Sequence, residues 1–298
     1  MNKILRNSII VAIVLGTVGT SSFYNYTYAK GDGAVEEGYG ANADGDKSVA
    51  IGHEVNAKGE RSVAIGNKAN AKSYDSVAIG HEANANSSES VAIGNKVSAD
   101  GWDSVALGIE TDAKGTGSVA IGLNSHAQAL QGVALGMNAY ATGERSIAIG
   151  NASAMGEFSL ALGEETNAKG TSSLAFGNWA KANSNSSVAI GFGSIANDEY
   201  EFSVGADEDE IKWSGDRKAI YRRITHVADG VKDHDAVTVE QLNSTKLHYI
   251  DLNFEAVDGD NNYNNDGAKG EGSIAIGSKA KTDKMTDLRY KDDVSNKW

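Results

Sequence analysis

Between residues 48 and 191, apolar and small positions recur in one phrase, Ser-Val-Ala-Ile-Gly and its near variants, eleven times at about fourteen residues. The copies start at Ser48, Ser62, Ser76, Ser90, Ser104, Ser118, Gly132, Ser146, Ser159, Ser173 and Ser187, and only the step from Ser146 to Ser159 is a residue short. A fixed period of this length predicts stacked units rather than a globular core. Side chains that alternate between faces over five residues predict a short strand. A weaker strand occupies the second half of each unit, as in Val55-Asn56-Ala57, Ala69-Asn70-Ala71 and Ala83-Asn84-Ala85. Two strands and two turns in fourteen residues predict one flattened coil of a parallel β-solenoid.

Two columns of the stacked phrase are apolar and variable: Val49 to Val188, with Ile147, Leu160 and Leu174 among them, and Ile51 to Ile190, with Leu107, Leu135, Leu162 and Phe176. They read as an interior that can repack. Between them the alanine column never changes: Ala50, Ala64, Ala78, Ala92, Ala106, Ala120, Ala134, Ala148, Ala161, Ala175 and Ala189. An unvarying small residue implies close pressure on that face too, and strands apolar on both faces are buried on both sides. The core of a single roll is thin. These alanines are therefore the candidate packing face against sister subunits, and an oligomer follows. The closing glycine of each phrase, Gly52 to Gly191, fits a turn with positive φ or a close backbone approach. Ala34-Val35-Glu36-Glu37-Gly38 keeps the period with two acids where Ala and Ile belong, and reads as a frayed cap over 34–47.

Past Glu199 the period stops. Ile220, Ile224, Val227 and Val231 form a short amphipathic stripe, and Leu247, Ile250 and Leu252 follow Asp235–Leu242 without sustained heptads. Residues 258–267 read as a loop, Ser273-Ile274-Ala275-Ile276-Gly277 repeats the phrase once more, and 282–298 match none of these patterns. At the other end, Lys3 and Arg6, the apolar run Ile9–Val18 and the small residue at Ala29 predict a secretory signal peptide, 1–29, cleaved after Ala29. Its apolar run falls short of the ~20 residues a membrane span needs.

Composition narrows the function. Lys3 and Arg6 leave with the leader, so 25 basic residues face 40 acidic ones, a net charge of -15. That charge argues against phosphate backbones and anionic membranes as partners. The basic cluster Arg217, Lys218, Arg222 and Arg223 after the acidic run Asp207–Glu210 reads as a solvated or intersubunit ion-pair cluster. An exported chain without cysteine has no disulfide framework, and one without proline suits a continuous hydrogen-bond ladder. Gly191–Ala196 and Gly38–Ala43 match a dinucleotide pattern only formally, since neither opens a helix after a strand. His53 and His81 share a column two coils apart, about 9.6 Å, too far for a ready-made metal site, and read with Asn67 and Asn95 as an exposed polar ladder. Asn56, Asn70 and Asn84 read either as a stacked amide ladder or as simply solvated side chains. No catalytic, cofactor or metal residues are expected, and no small-molecule substrate.

With its alternating alanines, the phrase resembles the head of trimeric autotransporter adhesins of the YadA-like kind. Arg223-Ile224-Thr225-His226-Val227-Ala228-Asp229-Gly230 and Asp235-Ala236-Val237-Thr238-Val239-Glu240-Gln241-Leu242 resemble their neck, and Asn264–Gly270 resembles the start of a second head segment. The resemblance implies an all-β fold, a left-handed parallel β-roll in a homotrimer. It divides the chain into a head over 30–205, a neck over 206–243, a short stalk or loop over 244–267 and a second head-like start over 268–298. In the neck each chain crosses to its neighbour. The implied function is attachment of a bacterium to a matrix protein of the collagen, fibronectin or laminin type, or to its own kind, by non-catalytic contacts at the cell surface or outer membrane. The competing expectation is a passive spacer whose binding segments lie elsewhere. Members of the family end in a membrane-anchoring β-barrel; nothing up to Trp298 resembles it, which leaves a fragment, a truncated product or another mode of attachment.

Overall fold

The computed structural model describes residues 29–211 and 218–244, in two compact units divided between Arg222 and Arg223. The leader up to residue 28, Arg217, the repeat phrase at Ser273 and everything else from residue 245 lie outside the described residues.

The first unit is a parallel β-solenoid of two facing sheets. One has thirteen strands, from Val35–Glu37 to Phe202–Ser203, and contains the eleven copies of the repeat phrase between residues 48 and 191. The other has twelve, from Asn42–Ala43 to Ile195–Ala196, and contains the short second strand of each coil. Register is coil on coil: Val49 pairs Val63, Ala50 pairs Ala64 and Ile51 pairs Ile65. On the second sheet Asn56 pairs Asn70. Each strand donates forward, as Val49 N–H does to Ser62 O (2.8 Å) and Asn56 N–H to Ala69 O (2.9 Å). Corner residues donate backward, Glu54 N–H to Tyr39 O and Arg61 N–H to Asp46 O, both at 2.8 Å. A coil pairs almost all its backbone with its two neighbours, which is why proline has no place here.

The coil turns twice, and each turn needs a residue in the left-handed region. Non-glycine residues with φ of 52–64° stand every seventh position along much of the roll: Lys47, Glu54, Arg61, Lys68, Asp75 and Glu82 begin the series. Such a residue costs roughly 1–2 kcal/mol. The backward hydrogen bond from its own amide offsets that cost. Glycine is required at the end of the phrase for a second reason. Gly94 has φ 138°, and a Cβ on it would lie 1.8 Å from the carbonyl oxygen of Gly108 in the next coil. The short coil 146–158 lacks one corner residue. Its strands still pair in step, Ile147 with Leu160 and Tyr140 with Ser153.

The structure reverses the reading of the two faces. All eleven alanines of the repeat phrase point into their own roll, with no exposed surface in the single chain. Opposite them stand the alanines of the second sheet, Ala57, Ala71, Ala85 and their successors, also fully buried. The sheets lie so close that little beyond a methyl group fits, and the largest wholly buried aliphatic side chains along the repeats are Val55 and Val97. The Val and Ile columns face outward and are half-buried: Val49, Ile51, Val63 and Ile65 lie on either side of a buried alanine in each strand. Ala50, Ala64, Ala78, Ala92, Ala106, Ala120, Ala134, Ala148, Ala161, Ala175 and Ala189 therefore form the core of one chain and do not present a surface to sister subunits.

At five of the phrase heads, Ser62, Ser76, Ser90, Ser104 and Ser187, the buried serine closes the turn that precedes it. Ser62 Oγ donates to Gly59 O (2.7 Å), Ser104 Oγ to Gly101 O (2.6 Å) and Ser187 Oγ to Ser184 O (2.7 Å).

Both ends of the stack are closed by side chains. The coil 34–47 does not fray: Val35, Glu36 and Glu37 pair with Val49, Ala50 and Ile51. Glu36 accepts a hydrogen bond from Ala43 N–H (2.9 Å), on the terminal strand of the second sheet, and the Lys30 and Gly31 amides donate to Ala43 O (3.2 Å each). At the far end Arg222 lies over Gly191 and donates to Phe192 O (2.5 Å), Ser194 Oγ (3.0 Å) and Val204 O. Its guanidinium supplies donors that a further coil would have supplied. Ile195, Ala206 and Ile211 cluster there, with Ile220 against them and bridged to Ala206. Arg222 is thus an end cap of the stack. Ile220 belongs to a β-bridge, and no helix forms on the stripe from Ile220 to Val231.

Ala106→Glu should place a carboxylate where only a methyl fits and destabilise the roll itself, by on the order of 4 kcal/mol. Circular dichroism melting of the variant should show lost sheet signal; unaltered melting would remove the alanine core.

Candidate functional site

With the alanines inside, the functional surfaces are the outsides of the two sheets, the corners between them and the second unit. The outer face of the first sheet is apolar. Beside the Val and Ile columns, Leu107, Ile147 and Phe176 are 40, 37 and 48 % exposed. Mid-roll the stripe widens, because Ile109, Leu123 and Met137 take the column that elsewhere holds His53, Asn67, His81 and Asn95. A continuous apolar face of this kind marks a contact surface.

The outer face of the second sheet is polar and ordered. Asn56 Nδ2 donates to Asn70 Oδ1 (3.0 Å), and Asn70 Nδ2 to Asn84 Oδ1 (3.1 Å), an amide ladder rather than simply solvated side chains. Lys114 sits 2.5 Å from Asp112, whose carboxylate raises the lysine's pKa above its ordinary value. His126 stacks on Tyr140 with ring centroids 5.1 Å apart. His53 is exposed and lies 3.3 Å from Asn67 Nδ2, as an exposed ladder requires, and its ring stacks on Tyr39. Among the described residues no group of three His, Asp or Glu is gathered as metal ligands. The glycines of Gly38–Ala43 and Gly191–Ala196 belong to coil turns, with Gly40 and Gly193 in the left-handed region.

On one corner, Arg61 is ion-paired with Asp75 through Nε (2.6 Å) and lies 4.2 Å from the Tyr74 ring centroid. That guanidinium holds the Asp75 carboxyl below its ordinary range. Tyr74, Trp102, Leu130 and Phe158 stand exposed on this corner, and the reading of the repeat columns passed over them because they recur at twice the repeat.

In the second unit, helix Val239–Ser244 starts on a capping box. Thr238 Oγ1 accepts from Gln241 N–H and Gln241 Oε1 accepts from Thr238 N–H, both at 3.2 Å. The same Gln241 amide grips Gly230, accepting from its N–H and donating to its carbonyl, each at 2.9 Å. Asp235 Oδ2 accepts from Val231 N–H and Lys232 N–H at 2.9 Å, and these bonds lower its pKa. The sequence motif around Gly230, Asp235 and Gln241 is thus a network of local bonds. The Ala236 carbonyl closes on Gly230, where an added Cβ would lie 2.8 Å from its oxygen, and Arg223 is exposed. The apolar residues of the segment face outward: Ile224, Val237, Val239 and Leu242 are each at least 62 % exposed, and Val227 is 41 % exposed. Thr225 is exposed beside His226.

Comparison with known proteins places this arrangement. The family pattern described as the YadA head domain repeat matches residues 38–54, 57–96, 99–125, 127–194 and 268–285, more than half of the chain, and that of the coiled stalk of trimeric autotransporter adhesin matches 223–247. This chain belongs to the YadA-like trimeric autotransporter adhesins. Among solved structures, the collagen-binding domain of the Yersinia adhesin YadA is 31 % identical, over 64 % of this chain and 85 % of that one, with a TM-score of 0.39. No curated protein sequence matches significantly. The YadA-like head is an adhesive module, and the family is one of bacterial surface proteins.

Asp235 carries a testable consequence. Its folded pKa is depressed, so its contribution is present above the ordinary carboxylate range and is lost as pH falls through the folded value. The protection factors of the Val231 and Lys232 amides, the intrinsic exchange rate at each pH divided by the observed one, should be high at pH 7 and fall below about pH 4. Asp235→Asn should remove most of this pH dependence; an unchanged profile would remove the carboxylate from the neck.

Proposed function

We propose that this chain is the exported head of a homotrimeric adhesin that attaches a bacterium to a host matrix protein, collagen first, without catalysis. The observation that supports this reading is the apolar outer face of the first sheet. Each roll completes its own core with alanine, so the Val and Ile columns are left over for another surface. Three chains placing these faces toward one axis bury them and leave the polar second sheets and the corners outward. The apolar residues of the neck, Ile224, Val227, Val237, Val239 and Leu242, have the same need for neighbours.

The charged start, apolar run and small residue of segment 1–29 support export through a leader, and membership of a family of bacterial surface proteins supports display at the outer membrane. The solved YadA domain is named for collagen binding, and a similar ligand suits a surface that repeats one set of weak contacts on every coil of three chains. Fibronectin and laminin are the other matrix ligands to test.

Two experiments bear on this. Ile93→Glu with Ile121→Glu should lower the denaturant concentration at which trimers dissociate in light scattering, while sheet content persists in the separated chains. Unchanged assembly would exclude this face as the subunit contact. In a solid-phase assay the exported chain should bind collagen saturably, and removal of coils in pairs should weaken binding stepwise. No binding to collagen, fibronectin or laminin would overturn the matrix reading.

A further inference from the structure

The corner that leads into the first sheet carries large exposed side chains at an interval of its own. Tyr74, Trp102, Leu130 and Phe158 are each 28 residues apart, one on every second coil, and are 40, 57, 39 and 48 % exposed. Phe158 sits one position further round the corner because its coil is a residue short. The coils between them place Ser88 and Thr116 at the corresponding position, so the first three stand as separate knobs.

The corner backbone is a hydrogen-bonded ladder, which makes the interval rigid. Tyr74 O accepts from Glu89 N–H (2.9 Å), Trp102 O from Gly117 N–H (2.7 Å) and Leu130 O from Arg145 N–H (2.8 Å). Phe158 N–H donates to Glu144 O (2.9 Å). Two coil steps of ~4.8 Å separate successive knobs by ~9.6 Å.

An extended polyproline II strand repeats every three residues at ~3.1 Å each, or ~9.3 Å. Over the four knobs the two repeats drift apart by only about 1 Å, within the reach of side-chain rotation. Such a strand loses little conformational freedom on binding, and its pyrrolidine rings stack on aromatic side chains. Charge narrows the choice further. Arg61 is paired with Asp75 and Arg145 with Glu144, while Glu89 and Asp103 remain on the same corner. That balance favours a strand carrying Lys or Arg.

We propose that this corner is a docking ridge for a proline-rich, basic polypeptide in the polyproline II conformation, with every third residue of the strand meeting one knob. The proposal rests on the adhesin reading but not on collagen as the ligand. The row spans about 29 Å, enough for nine to ten residues of such a strand.

Fluorescence anisotropy of a labelled oligoproline about twelve residues long with Lys at both ends, titrated with the trimeric exported chain, tests it. Saturable binding is expected, weakened about tenfold by Trp102→Ala. Moving the knob by one coil, Trp102→Thr with Thr116→Trp, should weaken binding as much, because composition is kept and the interval is broken. Undiminished binding in that register variant would overturn the proposal. So would loss of the trimer on light scattering in Trp102→Ala, which would make the ridge a subunit contact. Ridge-dependent binding of a triple-helical Pro-Pro-Gly peptide or of a neutral polysaccharide, in place of the single strand, would overturn the ligand class. Collagen retained on the solid phase with no oligoproline binding would sink the ridge alone and leave the matrix reading standing.

Discussion

The distance between the two sheets governs the rest of this molecule. Facing strands approach until the methyl groups of Ala50, Ala64 and their successors meet those of Ala57 and Ala71, and nothing larger than Val55 or Val97 enters among the repeats. A core made of methyl groups buries little apolar area per residue, so hydrophobic burial inside one chain is a minor source of cohesion. The coil-to-coil hydrogen bonds carry more of it than they do in a globular domain. The larger side chains, Val and Ile, are displaced to the outside, and the chain then has to find cover for them. In this fold association follows from the same constraint that builds the monomer.

Most of the architecture was legible in the repeat. The period, the two strands per coil, the in-step pairing and the glycine at Gly94 and its equivalents all follow from local chemistry read down columns. The inside and outside of the first strand were not. Alternation along a strand tells which residues share a face, but which face is interior depends on the strand opposite. The clue lay in the second strand, whose own small residues leave no room for Val or Ile across the gap. An invariant alanine then means a wall one methyl away within the same chain.

The remaining features escaped for different reasons. Arg222 caps the stack through carbonyls of residues 18 and 30 positions away, a contact no local pattern announces. In the neck, motif residues were recognised as a set, while their bonding became visible only with coordinates: Gln241 serves both the helix start and Gly230. The knobs at Tyr74, Trp102 and Leu130 were present in the sequence at twice the unit period, a harmonic that columns of fourteen blend into background.

The short coil at 146–158 loses a corner residue while its strands keep step with those on either side. Corners therefore tolerate loss of length without any shift in the ladder. Evolution can rewrite the edges of the roll, one corner at a time, on an unchanged frame. Length at a corner and register in the sheets are thus separately adjustable, and insertion or deletion there carries little penalty in folding.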